Sequence, residues 1–138
     1  MNYLFDNNIS PKIAHAAREL CNDGSDCQIF HLRDKFPANT KDEVWLNDLI
    51  NEGNWAIISI DRFKKSSVEK EALNSPKLIS FILSNSWSKL TFWEQSYRLI
   101  RWMPQIIKQT KLNSYGVFGI PVNYGSGKFE QMTAKYRK

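Results

Sequence analysis

Cysteine, histidine and glycine are scarce in this 138-residue chain, and each scarcity excludes a class of site. Only Cys21 and Cys27 carry sulfur of the thiol kind, and the stretch Asn22 to Asp26 between them fits neither a C-x-x-C pair nor a zinc set. Two free, partly buried thiols in a reducing compartment are expected. The two histidines, His15 and His31, have no partner at nucleophile–base spacing, which removes support for triad chemistry. His15 reads as a surface residue of a helix, and His31 as a hydrogen-bonded strand residue rather than a ligand. No glycine-rich phosphate loop exists, and Gly125-Ser126-Gly127 reads as tail flexibility. No apolar run approaches the roughly 18 residues that cross a bilayer, and Met1 to Asp6 lacks the charged-then-apolar pattern of a leader. A cytoplasmic protein with no membrane partner is the expectation.

Acid is also in short supply: 14 acidic residues against 19 basic ones leave a net charge of +5. That balance favours an anionic partner such as nucleic acid. What the chain does have is apolar and aromatic material. Hydrophobic residues make up 42% of it, enough for a core, so disorder of the whole is excluded. Five Trp, five Tyr and eight Phe exceed what a minimal core needs, which points some of them to an interface or binding surface, the alternative being that they simply fill the core. The length is that of one domain.

Strands and helices alternate along the sequence. Asn2 to Phe5 is a short apolar strand. Ser10-Pro11 is a helix-start signal, and Ile13, Ala16, Ala17 and Leu20 then recur on one helical face. Asn22-Asp23-Gly24 stops that helix. Cys27 to Leu32 forms a second strand, followed by a loop over Lys35 to Asn39. Thr40 with Glu43 fits a capping box, opening a helix with Leu46, Leu49 and Ile50 inward and Gly53 as its stop. Trp55 to Ile60 is a continuous apolar run suited to a strand buried on both sides. Ser66 with Glu69 opens a short helix, and Leu78 to Leu83 is a fourth strand. Thr91 with Glu94 is a second capping box and opens the longest helix, which Pro104 should break or kink. Tyr115 to Val122 is a fifth strand, at an edge because of Pro121. A three-layer, doubly wound α/β fold follows, with a mainly parallel sheet of about five strands and helices on both faces. Residues 1–124 form the single domain, and 125–138 a loose basic tail.

Right-handed crossovers place the carboxyl ends of parallel strands on one edge, where binding crevices lie. Asp6 follows the first strand and Asp61 the third. Asp42, in the first turn of a helix after strand two, starts from the same edge. Carboxylates gathered without bases repel, so a cation is their expected companion. Mg²⁺ takes oxygen ligands and keeps several waters, so two or three acids suffice. Such an ion lowers the pKa of a bound water and neutralises charge on a transferring phosphate. Asp6, Asp42 and Asp61 are therefore the candidate catalytic and metal-holding residues, with Glu43 as substitute for Asp42 and Asp34 as a fourth acid. The competing explanation is that aspartates at strand ends and first turns simply cap helices and suit turns. Arg62, Lys64 and Lys65 follow Asp61 and suit phosphate contact. Lys89, Arg98, Arg101, Lys108 and Lys111 interleave with Trp87, Trp93, Tyr97 and Trp102, a pattern that fits phosphate binding with base stacking or, alternatively, a solvated helix whose aromatics are core.

These motifs together resemble a known family. Tyr3-Leu4-Phe5-Asp6-Asn7-Asn8-Ile9-Ser10-Pro11 resembles the opening of PIN-like nuclease domains. His31-Leu32-Arg33-Asp34 is similar to their second-strand ending, Thr40-x-Asp42-x-x-Trp45-Leu46 to their acidic helix start, and Ile57-Ile58-Ser59-Ile60-Asp61-Arg62 to their third acidic strand end. Ser86 to Leu90 and Trp93-Glu94-Gln95 resemble a compact VapC-type branch of PIN-like toxins. The resemblance runs to about Val122. It implies a Mg²⁺- or Mn²⁺-dependent endoribonuclease, a toxin held inactive by a cognate antitoxin, with room for a homodimer. It puts Arg33 at a basic position that contacts phosphate or fixes an acid. Asn7 departs from the pattern: an acid is common there, whereas Asn7 offers an oxygen without charge.

Two other functions fit less of the sequence. A nuclease-like domain that binds RNA or a partner without cutting accounts for the fold and for Asn7. A signalling receiver needs an acidic pair after strand one and a Lys after strand five. Here Asn7 and Asn8 flank Asp6, and Pro121-Val122-Asn123 supplies no Lys.

Overall fold

The structure is a computed structural model that describes residues 1–21, 27–60 and 67–132. Six strands form one sheet: β1 (Asn2–Phe5), β2 (Gln28–His31), β3 (Trp55–Ile60), β4 (Leu78–Leu83), β5 (Gly116–Ile120) and β6 (Glu130–Gln131). Their spatial order is β2-β1-β3-β4-β5-β6. The first five run parallel, and β6 returns antiparallel to β5. The reversal of order at β1 marks the point where a doubly wound sheet opens a crevice. The helices are α1 (Pro11–Cys21), α2 (Leu32–Lys35), α3 (Asp42–Glu52), α4 (Ser67–Leu73) and α5 (Phe92–Leu112), with a 3₁₀ turn over Asn85–Lys89.

Period-2 alternation in the strands divides the core into two layers. Tyr3, Phe5, Ala56, Ile58, Ile79 and Phe81 face α1 and α5, meeting Ile13, Ala17, Leu99, Trp102 and Ile106. Leu4, Ile57, Ile82 and Val117 face the opposite side, meeting Leu32, Trp45, Leu46, Leu49 and Leu73 from α2, α3 and α4. Every residue of β3 and β4 is buried, as expected for central parallel strands covered on both faces.

Several local expectations give way to packing. The sheet has six strands rather than about five, because residues 129–132 fold back instead of trailing off as a loose tail. Phe129 packs beside Trp102 and Phe81, and the Met132 N–H donates to the Val117 carbonyl at 2.8 Å. Residues 133–138 lie outside the described part. β6 also takes β5 off the edge, and Pro121 sits just past the end of β5, where no ladder bond is asked of it. The second strand ends at His31, since Asp34 accepts the His31 N–H and turns the chain into α2.

The expected Thr40–Glu43 capping box is absent. Lys41 occupies the cap position without a side-chain bond, and the Thr40 hydroxyl donates to the Pro37 carbonyl. The Thr91–Glu94 box does form, with bonds of 3.0 and 3.2 Å. Gly53 closes α3 at φ 79°, a backbone region that favours glycine, and its N–H donates to Leu49. On α1 the inward face is Ile13, Ala14 and Ala17, whereas Ala16 and Leu20 are exposed.

α5 continues through Pro104 instead of ending there. Pro104 lies on the solvent side, and Trp102, Met103 and Ile106 bury the other side, so tertiary packing outweighs the lost hydrogen bond. The two cysteines are not free thiols. The end of α1 returns beside the start of β2, with Cα atoms 5.8 Å apart, and Cys21 and Cys27 form a disulfide.

Candidate active site

Asp6 leaves β1 at the carboxyl edge and is 1% exposed, unusual for a carboxylate unless hydrogen bonds satisfy it. Its oxygens accept the Ser59 hydroxyl at 2.8 Å and the Asn7 N–H at 2.6 Å, and its own N–H donates to the Ile58 carbonyl. Ser59 therefore has a reason to interrupt the otherwise apolar β3. It stands on the strand beside β1 and aims a hydroxyl at the acid.

Asn8 fastens the same corner. Its Oδ1 accepts the Ile60 N–H at 3.2 Å and its Nδ2 donates to the Ile60 carbonyl at 2.9 Å. The last residue of β3 is thus held on both its backbone groups, immediately before Asp61. Neither Ser59 nor Asn8 was singled out from sequence. The signals were there, in a polar residue inside an apolar run and an Asn pair after a strand. Asn7 carries a further feature: its Oδ1 is buried and makes no hydrogen bond.

His31 and Asp34 form a second polar cluster beside this one. His31 is fully buried. Its Nε2 donates to the Ile9 carbonyl at 2.7 Å, and its Nδ1 accepts the Arg33 N–H at 3.1 Å, a pattern that fixes the neutral tautomer. Burial lowers its pKa below 6.5, and the Arg33 charge pushes the same way; the Ile9 bond and the charges of Asp34 and Asp6 oppose. The expectation of a satisfied histidine holds.

Asp34 accepts from Arg18 at 2.6 Å, from His15 at 3.0 Å and from the His31 N–H at 2.9 Å. Burial pushes its pKa upward, but these bonds outweigh it and hold the carboxyl below 3.8. Its carboxylate is thus engaged in tying α1 to the turn after β2. Arg33 is exposed, and its N–H serves His31.

Asp42 opens α3, and its Oδ1 accepts the Trp45 indole N–H at 3.0 Å. Glu43 stands in the same first turn. Asp61, Arg62, Lys64 and Lys65 lie outside the described residues. Among the described residues no group of three or more His, Cys, Asp or Glu assembles into a metal cluster. The donors present at the corner, the Asp6 carboxylate and the unpartnered Asn7 oxygen, are hard oxygens of the kind that suit Mg²⁺ or Mn²⁺. The fit extends to those two residues.

Asp6 thus lies buried at the switch point of a doubly wound α/β sheet, on its carboxyl edge. A family model described as a PIN like domain matches residues 1–85, and the chain belongs to that family. Such domains are generally nucleases. The matched part runs from β1 through β4 and holds Asp6, Asp34, Asp42, Glu43 and Asp61. Comparison with curated proteins and with solved structures gave no match. No described helix is long and apolar enough to cross a membrane.

Proposed function

We propose that the protein is a metal-dependent endoribonuclease, acting as the toxin of a toxin–antitoxin pair. The observation that carries this reading is the buried Asp6 carboxylate, oriented by Ser59 and the Asn7 N–H beside an unpartnered Asn7 oxygen, in a chain of the PIN-like family. Asp6, Asp42 and Asp61 would hold the ion, with Asn7 as an uncharged oxygen donor and Glu43 in reserve. When bound, Mg²⁺ or Mn²⁺ supplies an acidified water and charge neutralisation on the phosphodiester.

The protein's own contribution is orientation. Ser59 keeps the Asp6 oxygens in one rotamer, and Asn8 fixes the end of β3 from which Asp61 departs. Arg62, Lys64 and Lys65 bind the phosphate backbone, and Arg33 adds a positive charge on the β2 side. Asp34 contributes through the fold, by positioning α1 against β2. An adjacent reading frame encoding a small antitoxin-like protein, and growth arrest on expression relieved by Asp6→Ala, are the expected signs of the toxin role.

The test is cleavage of labelled single-stranded RNA with Mn²⁺, with Mg²⁺ and with EDTA. Asp6→Asn should lose more than the roughly 10–100-fold that substitutions next to metal ligands cost, with an unchanged circular dichroism spectrum. Cleavage at the parent rate by that variant removes Asp6 from the mechanism. The neutral Asn7 favours a second reading, a PIN-like domain that binds RNA or a partner without cutting. Mn²⁺ titration separates the two: the catalytic protein binds the ion and loses it with Asp6→Asn, whereas the inert one binds none. The receiver reading has no support in the structure, since β5 is followed by Pro121-Val122-Asn123.

A further inference from the structure

The interleaved aromatics and bases of α5 and of the 3₁₀ turn before it divide sharply by burial. Trp87 and Trp102 are fully buried, while Trp93 and Tyr97 are 77% and 58% exposed. Along α5 the exposed residues Trp93, Tyr97, Arg101, Pro104, Lys108 and Lys111 fall within one narrow stripe, since spacings of three and four stack on one face. At 1.5 Å per residue it is about 27 Å long. It contains three basic residues and no acid.

Beside it, α5 and the turn after β5 enclose a cleft of about 240 Å³ lined by Tyr97, Arg98, Arg101, Trp102, Val122 and Tyr124. The Arg101 guanidinium lies 4.0 Å over the Tyr124 ring, and Arg98 donates to the Val122 carbonyl at 3.1 Å. Two lining side chains carry a buried donor without an acceptor, Nε of Arg98 and Nε1 of Trp102. The lining is therefore rich in donors, flat aromatic faces and positive charge.

We infer that this stripe and cleft form a binding platform for single-stranded RNA, separate from the acidic corner. Its chemistry matches the ligand on each count: unpaired bases have faces to stack, phosphates are anionic, and base edges and ribose supply acceptors. The two aromatics of the stripe, Trp93 and Tyr97, run on into three full positive charges at Arg101, Lys108 and Lys111, which suits a polyanion better than an apolar protein face. Its position also fits. α5 starts at the carboxyl edge, and Val122 follows β5 on that same edge, three strand spacings or about 14 Å from Asp6. One strand of RNA laid along the rim would touch both. The platform lies beyond residue 85, where the family match ends. The inference rests on the RNA part of the proposed function and not on cleavage.

The test is binding of a short labelled single-stranded oligouridylate to the full chain carrying Asp6→Asn, so that cleavage does not enter. Tyr97→Ala should weaken binding about tenfold, the scale of one lost base stack. Arg101→Ala should lower the slope of log affinity against log salt by about 0.7, and Arg101→Lys should restore that slope. Tyr97 and Arg101 are both at the surface, so these substitutions should leave the circular dichroism of the Asp6→Asn chain unchanged. A duplex of the same length should lose nothing from Tyr97→Ala. Unchanged single-strand binding in both alanine variants overturns the platform. So does equal sensitivity of the duplex, or displacement of the RNA by polyglutamate with the same dependence on Tyr97, which would mark a protein-docking face. A protein that binds RNA through Tyr97 and Arg101 yet never cuts it leaves the platform standing and removes only the nuclease.

Discussion

At the scale of single residues, the polar groups under the sheet edge set both the geometry of the corner and its response to acid. Ser59 is a positioning residue: its hydroxyl donates to Asp6 from the neighbouring strand. On the proposed mechanism, Ser59→Ala should reduce RNA cleavage about 10–100-fold, the usual cost of losing a group that orients a ligand, while thermal stability changes by about 1 kcal/mol. Loss of stability with full activity would make the contact merely structural.

His31 gives a pH signature. Its folded pKa lies below 6.5 because burial disfavours the charged ring, so the unfolded chain takes up the proton first. The stability it confers is complete above 6.5 and is lost as pH falls from there through the lower folded value. Asp34 acts in a separate window, since its depressed carboxyl loses its contribution only below 3.8. Denaturation midpoints should therefore decline from about pH 7 to about pH 5 in the parent. They should stay flatter in His31→Gln, which keeps a donor for Ile9; a parallel decline in both proteins would exclude His31 as the source.

At the scale of elements, sequence patterns were legible where local chemistry and packing agree. β1, β3 and β4 appear over the residues their apolar runs predict, and the Thr91–Glu94 box opens α5 as expected. Agreement fails at the start of α3, where one local contact displaces another. Thr40 turns its hydroxyl to Pro37, and Lys41 takes the cap position of α3. The site shows the same division. Asp6 at a strand end could be read from sequence, but Ser59 and Asn8 act across 53 and 52 residues of chain, and a polar residue in an apolar run or an Asn pair after a strand does not say which distant group it will meet.

Pro104 is the clearest case. A helix interior tolerates proline poorly, at about 3 kcal/mol relative to alanine, yet α5 runs through it with the ring in solvent. Pro104→Ala should restore the missing N–H and stabilise the protein by up to about 3 kcal/mol, read from urea midpoints. An unchanged or lower midpoint would mean that the ring is needed by the packing around Trp102 and Met103.

At the scale of the whole molecule, the last described residues decide how the sheet ends. β6 is two residues long, but it covers the backbone of β5, whose sequence Gly116-Val117-Phe118-Gly119-Ile120 is apolar throughout. Gly119 leaves room for Met132 to lie against it; a methyl group there would collide with the Met132 sulfur. Phe129 closes over Phe81, Phe118 and Trp102 in the same turn. A chain cut after Tyr124 would keep every residue of the acidic corner and still present a bare, flat, greasy strand to its neighbours, an open template for intermolecular pairing. Such a chain should self-associate at concentrations where the full chain does not, as read by light scattering, and unchanged scattering would show that β6 is dispensable. The short hairpin thus works as a guard rail: the segment that looks most expendable is what keeps copies of this protein from zipping together.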